Sequence, residues 1–201
     1  MQALSALKTR IRAVATALSL GLIVGLALSA CAKDPGASSS IGGPFQLVDQ
    51  FGHPQSQQLL KGKWTAVFFG YTYCPDVCPT TLQTLGGATT LMGPKVKDFQ
   101  VVFITVDPNR DTPGQLKDYL ASASFPRGVI GLTGTPSQIA AAANDYKVYY
   151  QKNGSGADYS VDHSAAIYLM NPKGEFDSAI PFGLTAQQTR DQILKAMQLA
   201  G

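Results

Sequence analysis

An apolar run over residues 64–69, rich in aromatic side chains, leads into Tyr71-Thr72-Tyr73-Cys74-Pro75-Asp76-Val77-Cys78-Pro79 and then into a helix-like run over 80–92. A strand that is apolar along its length has two faces to bury, so it reads as central in a sheet covered on both sides. Pro79 suits the first turn of a helix, where its missing N–H costs nothing. The two cysteines therefore sit at a strand-to-helix junction, exposed and near enough to act together. Such a pair binds a soft metal, or it cycles between dithiol and disulfide.

The rest of the chain fits around that strand. A second central strand is expected over 99–106. Another spans 165–170, joined by the turn Asn171-Pro172-Lys173-Gly174 to a hairpin partner over 175–180. Shorter strands are expected over 45–48, 57–60, 129–132 and 148–151. Helices are expected from Asp111-Thr112-Pro113 to about 122, with Asp111 or Thr112 as cap, from Thr135-Pro136 through 145, and from Thr185 onward. Strands alternating with helices indicate an α/β class. The dithiol after the first central strand points to a thioredoxin-like fold: a central mixed sheet flanked by helices, with an N-terminal strand or hairpin extension.

The N-terminus reads as a separate segment. Lys8, Arg10 and Arg12 precede an uncharged stretch over 13–30, rich in Leu, Ala, Val and Gly, that ends in Leu28-Ser29-Ala30-Cys31. A secretory leader has this order of basic, apolar and small residues. The terminal cysteine resembles a bacterial lipobox, which makes residues 1–30 the signal peptide and Cys31 the lipidated N-terminus. An uncleaved membrane helix is the alternative, since the stretch is near the lower limit for spanning a bilayer. Either reading places the domain outside the cytoplasm, in the bacterial periplasm. Ala32 after the cysteine resembles an outer-membrane rather than an inner-membrane sorting signal. Residues 31–43 form the lipidated cysteine and a flexible tether, and 44–201 the folded domain.

The leader also explains the charge. The full chain carries 16 Lys+Arg against 13 Asp+Glu, and three of the basic residues lie in the leader, so the mature chain is neutral. With no basic run and no basic–aromatic interleaving, nucleic-acid binding is excluded. Of three cysteines one belongs to the leader, leaving Cys74 and Cys78. A domain of this size buries an adequate core without disulfide staples, so the pair is free for chemistry.

Helix-start amides stabilise a thiolate, so Cys78, next to Pro79, is expected to be the more acidic thiol. The spacing of the pair permits a disulfide and also gives two thiolates room to grip one ion. His53 lies in a Gly-His-Pro turn and reads as a solvated loop residue. His163, in Val161-Asp162-His163-Ser164, stands at the mouth of the 165–170 strand. A thioredoxin-like sheet turns that strand's start toward the dithiol, so His163 is a candidate third ligand. Two thiolates and an imidazole suit copper, with sulfur favouring Cu(I) and nitrogen keeping Cu(II) accessible. Zinc competes, although closed zinc sites usually have four ligands. Asp76 reads equally as a tuner of thiol basicity and as a turn carboxylate. Asp162 reads equally as an orienter of the His163 ring and as a plain turn residue. Residues 107–113 are explained by capping and a local ion pair, and Met170 as core.

These segments resemble the Sco/SenC family of copper-binding proteins. The resemblance rests on Gly62-Lys63-Trp64, the stretch from Phe69 to Pro79, Ile104-Thr105-Val106-Asp107-Pro108-Asn109-Arg110-Asp111-Thr112-Pro113, Gly131-Leu132-Thr133-Gly134 and Asp158-Tyr159-Ser160-Val161-Asp162-His163-Ser164-Ala165, in family order. It implies a thioredoxin-like fold, with copper, as Cu(I) or Cu(II), held by Cys74, Cys78 and His163. It also implies a partner, the dinuclear copper centre of cytochrome c oxidase subunit II. That site would receive copper or have its cysteines reduced. Another periplasmic copper chaperone, or a thiol reductant, would act upstream. Asn109 and Tyr73 depart from the commoner family residues, and a lipid anchor stands in place of the membrane helix of many members. Two functional classes stay open: a copper chaperone working by ligand exchange, and a thiol–disulfide oxidoreductase using Cys74 and Cys78 as its catalytic pair. A peroxidase is a weaker third.

Overall fold

Seven strands in the order β2-β1-β5-β4-β3-β8-β9 make one mixed sheet, and β6 and β7 make a separate two-stranded ribbon. The computed structural model describes residues 41–199. The expected leader, Cys31 and most of the expected tether lie outside them. Among the described residues no helix is long and apolar enough to cross a membrane.

The central strands are those whose sequences are apolar throughout. β3 (Trp64–Gly70) is buried at every position, as is β8 (Ile167–Met170), and β4 (Phe99–Thr105) at all but one. β3 runs parallel to β4, and β4 parallel to β5 (Ile130–Thr133), while β8 is antiparallel to β3. At the margins, β1 (Gln46–Asp49) and β2 (Pro54–Ser56) form the N-terminal hairpin, and β9 (Phe176–Ile180) pairs with β8. Alternate exposure along β9 marks it as the edge.

Helix α1 (Val77–Leu91) packs against α4 (Ala186–Leu199), α2 (Pro113–Leu120) packs on β5, and α3 (Pro136–Asp145) lies against β1. Phe68, Phe69, Phe103, Leu82, Leu116 and Leu169 are fully buried between these layers. Each such side chain contributes about 1.5–3 kcal/mol through burial. Met170 is one of this core. Gly86 lets α1 approach closely, since a Cβ there would stand 2.3 Å from the Ser124 carbonyl oxygen.

Three elements differ from expectation. Residues 57–60 form a 3-10 turn, not a strand, because the Ser56 side chain caps it by accepting the Gln58 N–H. The strand expected over 148–151 starts later, as β6 (Tyr150–Asn153). Val148 is occupied in closing α3: its N–H donates to the Ala143 carbonyl, with Lys147 in the left-handed region at φ 57°. α1 starts at Val77, ahead of the expected 80, so that Pro79 occupies its first turn.

Candidate metal centre

Strand direction assembles the site. β3 and β4 end together, with Gly70 opposite Thr105, and the Val106 N–H donates to the Gly70 carbonyl at 2.8 Å. The dithiol turn after β3 and the 107–112 loop after β4 therefore share one edge of the sheet, where ligands bind in α/β folds. β8 runs the other way, with Ile167 opposite Phe68, so the chain just before β8 arrives at that same edge. It brings His163, the last residue of β7 (Ser160–His163), four positions before β8 begins at Ile167.

One donor atom from each of Cys74, Cys78 and His163 lies within 4.8 Å of the other two. His163 Nε2 is 3.4 Å from Cys78 Sγ, and both cysteines are free thiols. A three-coordinate ion with bonds near 2.3 Å would space its donors about 4 Å apart, so the group fits one ion with small adjustments. His163 Nδ1 lies 2.9 Å from the Ser164 carbonyl oxygen. A carbonyl only accepts, so Nδ1 carries the proton, and in the neutral ring Nε2 offers its lone pair toward the sulfurs. The edges of Phe68 and Tyr71 box the ring, at 6.2 and 5.9 Å between centroids.

The two thiols differ, in the opposite sense to that expected from the helix start. Cys78 is the second residue of α1 and has no exposure. It sits against Gly70, where a Cβ would come within 2.7 Å of its sulfur and 2.8 Å of Phe103. Cys74 precedes the helix and is half-buried. The first-turn amides therefore point at Cys74, whose sulfur accepts the Cys78 N–H at 3.4 Å. The hydrogen bond from the Cys78 thiol, opposed by burial and helped by the Asp76 and Cys78 N–H groups, holds the Cys74 thiol down to about 3. Cys78 is pushed far up, because its proton serves Cys74 and because it is buried beside that thiolate. A helix terminus favours charge in front of it, and Cys78 lies within it.

The remaining candidates take plainer places. Asp76 is the first residue before α1, makes no capping bond with its side chain, and accepts the Thr80 hydroxyl at 3.3 Å. Its backbone N–H serves Cys74. Asp162 is exposed, and the Ser164 carbonyl orients His163 in its stead. His53 is an exposed turn residue beside Asp49. Thr112 caps α2 and Arg110 pairs with Asp107, as the sequence indicated. Asp111 caps nothing: fully buried, it accepts the Thr72 N–H and hydroxyl at 3.0 and 2.7 Å and the Thr105 hydroxyl at 2.6 Å. Burial raises its carboxyl above the usual range, against those hydrogen bonds. It ties the turn carrying Cys74 to β4. The roles of Gly70, Tyr71, Asp111 and Ser164 are not legible in sequence because they depend on what the sheet edge brings beside them.

The chain is similar to known proteins. The SCO1/SenC family profile matches residues 33–198. Protein SCO1 of Saccharomyces cerevisiae mitochondria is 41% identical over 145 residues, 70% of this chain and 48% of that protein. Protein SenC of Rhodobacter capsulatus is 40% identical over 178 residues, 86% of this chain and 80% of that one. The chain spans about half the length of the mitochondrial relatives it matches. The crystal structure of Arabidopsis thaliana ScoI with copper bound superposes with a TM-score of 0.75 at 38% identity, covering 80% of this chain and 99% of that one. The mixed sheet flanked by helices is therefore the thioredoxin-like fold of the Sco proteins, and the match over nearly all of the described residues places this chain in the SCO1/SenC family.

Proposed function

We propose that this protein is a periplasmic, membrane-anchored copper metallochaperone that carries one copper ion on Cys74, Cys78 and His163 and gives it to the dinuclear copper centre of cytochrome c oxidase subunit II. The observation that carries the reading is the convergence of two thiol sulfurs and an imidazole Nε2 within 4.8 Å. Soft sulfur and borderline nitrogen are a copper donor set. Among the described residues the group has three donors, one short of a closed zinc site. Transfer by ligand exchange needs an approachable site, and half-buried Cys74 offers the edge at which incoming thiolates replace the outgoing ones. The leader and Cys31 support a lipid anchor, and Ala32 the outer membrane.

A second reading, a thiol–disulfide oxidoreductase that reduces cysteines of the oxidase copper site, is favoured by one observation. Cys74 is half-buried with its pKa held down, while Cys78 is buried with its pKa pushed up, the order of an attacking and a resolving thiol. Titration of the reduced protein with Cu(I) and Cu(II) separately tests the first reading. One copper per chain is expected, with sulfur-to-copper charge transfer in the Cu(II) form. His163→Ala should lose tight Cu(II) binding and keep thiol exchange. A variant that holds copper as tightly as the parent would remove the three-donor site.

A further inference from the structure

His163 rides on the element least tied to the main sheet. β6 and β7 pair only with each other, and Tyr150 lies opposite His163 in their ladder. Side chains make the polar connections to the rest of the fold, and they meet at Arg110. Its guanidinium forms the ion pair with buried Asp107 and donates through Nη1 to the Ala157 carbonyl at 3.1 Å, beyond the end of β6. Its carbon lies 3.6 Å from the ring centroid of Tyr159 and 4.6 Å from that of Tyr73, one residue before Cys74. Tyr159, just before β7, donates its hydroxyl to Asp107 at 2.6 Å. Tyr71 takes the Val161 N–H at 3.3 Å.

One cation thus touches the dithiol turn, the loop after β4 and the tip of the ribbon. Arg110 Nη2 is buried with no hydrogen-bond partner, and the tyrosine faces supply its compensation. A local ion pair with Asp107 alone explains neither the tyrosine cage nor the bond to Ala157.

We propose that Arg110, with Asp107 and Tyr159, is a positioning latch that holds the β6–β7 ribbon, and so His163, against the dithiol. The inference rests on the copper reading above and adds to it: the latch governs Cu(II) retention selectively. Two thiolates satisfy Cu(I) alone, whereas Cu(II) depends on the nitrogen donor. Weakening the latch lowers the occupancy of that nitrogen and leaves the sulfurs in place.

The test compares Arg110→Met and Tyr159→Phe with the parent, each also on a His163→Ala background. Arg110→Met should release Cu(II) about tenfold faster, the scale of a lost desolvated cation contact, with Cu(I) affinity unchanged. Tyr159→Phe, which removes only a hydroxyl, should give a smaller acceleration in the same direction. On the His163→Ala background neither change should alter Cu(II) release further, because the latch acts through that ring. Equal weakening of both copper states, or the same loss on both backgrounds, would overturn the latch. Amide hydrogen exchange of the metal-free protein tests it apart from copper. In Arg110→Met the Val161 N–H should exchange about tenfold faster while β3 amides keep their protection. Unchanged exchange at Val161 would overturn the latch, even if His163 proved to be no ligand. A parent that binds copper no better than His163→Ala would sink the copper reading and leave the exchange result to judge the latch.

Discussion

At the scale of single residues, the site divides labour between two thiols that sequence alone makes look alike. Cys74 stands in front of a helix start and collects hydrogen bonds, and Cys78 is enclosed by Gly70, Phe103 and its own helix. Alkylation of the reduced, metal-free protein should therefore label Cys74 and spare Cys78. The Cys74 rate should stay flat as pH falls from about 8 to about 5, since thiolate is lost only as pH drops through about 3. An ordinary thiol of pKa about 8.5 slows roughly tenfold per unit below that value. Mass spectrometry of the labelled protein reads both, and an ordinary slope at Cys74 would contradict the assignment. The convergence of Cys74, Cys78 and His163 was legible from their placement and from family motifs. The order of acidity was not, because it depends on whether the helix begins before or after Cys78, a difference of a few residues that Pro79 permits either way.

At the scale of elements, the most legible parts were the strands with both faces buried. Unbroken apolar runs at 64–69, 99–106 and 165–170 leave little choice, and β3, β4 and β8 follow them. Local polar bonds decided the places where pattern misled. Ser56 bends 57–60 into a turn, and the end of α3 consumes the Val148 N–H. The latter has a testable consequence. Lys147 holds a left-handed conformation that a side chain disfavours by about 1–2 kcal/mol, although a glycine there would also loosen the unfolded chain. Lys147→Gly should stabilise the fold by about 0.5–1 kcal/mol and raise Tm by roughly 1–4 °C in a thermal melt. A lowered Tm would show that the lysine side chain contributes more than its backbone costs. The ribbon carrying His163 was the least legible element, because β6 and β7 are short, mostly polar and outside the main sheet.

At the scale of the whole molecule, a mixed sheet lets one edge receive chain from opposite directions. Parallel β3 and β4 deliver the dithiol turn and the 107–112 loop, and antiparallel β8 delivers the imidazole. On the proposed reading, residues 1–30 are the leader that carries such a site out of the cytoplasm. Expressed with its leader in a bacterium, the protein should fractionate with membranes, and Cys31→Ser should release it into the soluble periplasmic fraction. Retention of that variant in the membrane would favour an uncleaved apolar helix over a lipid anchor. On the proposed function, three residues distant in sequence hold one copper together. X-ray absorption of the Cu(II)-loaded protein tests it most directly. Two sulfur donors and at least one imidazole nitrogen are expected around the copper in the parent, with that imidazole lost and the sulfurs retained in His163→Ala. An imidazole signature that survives the substitution would contradict it.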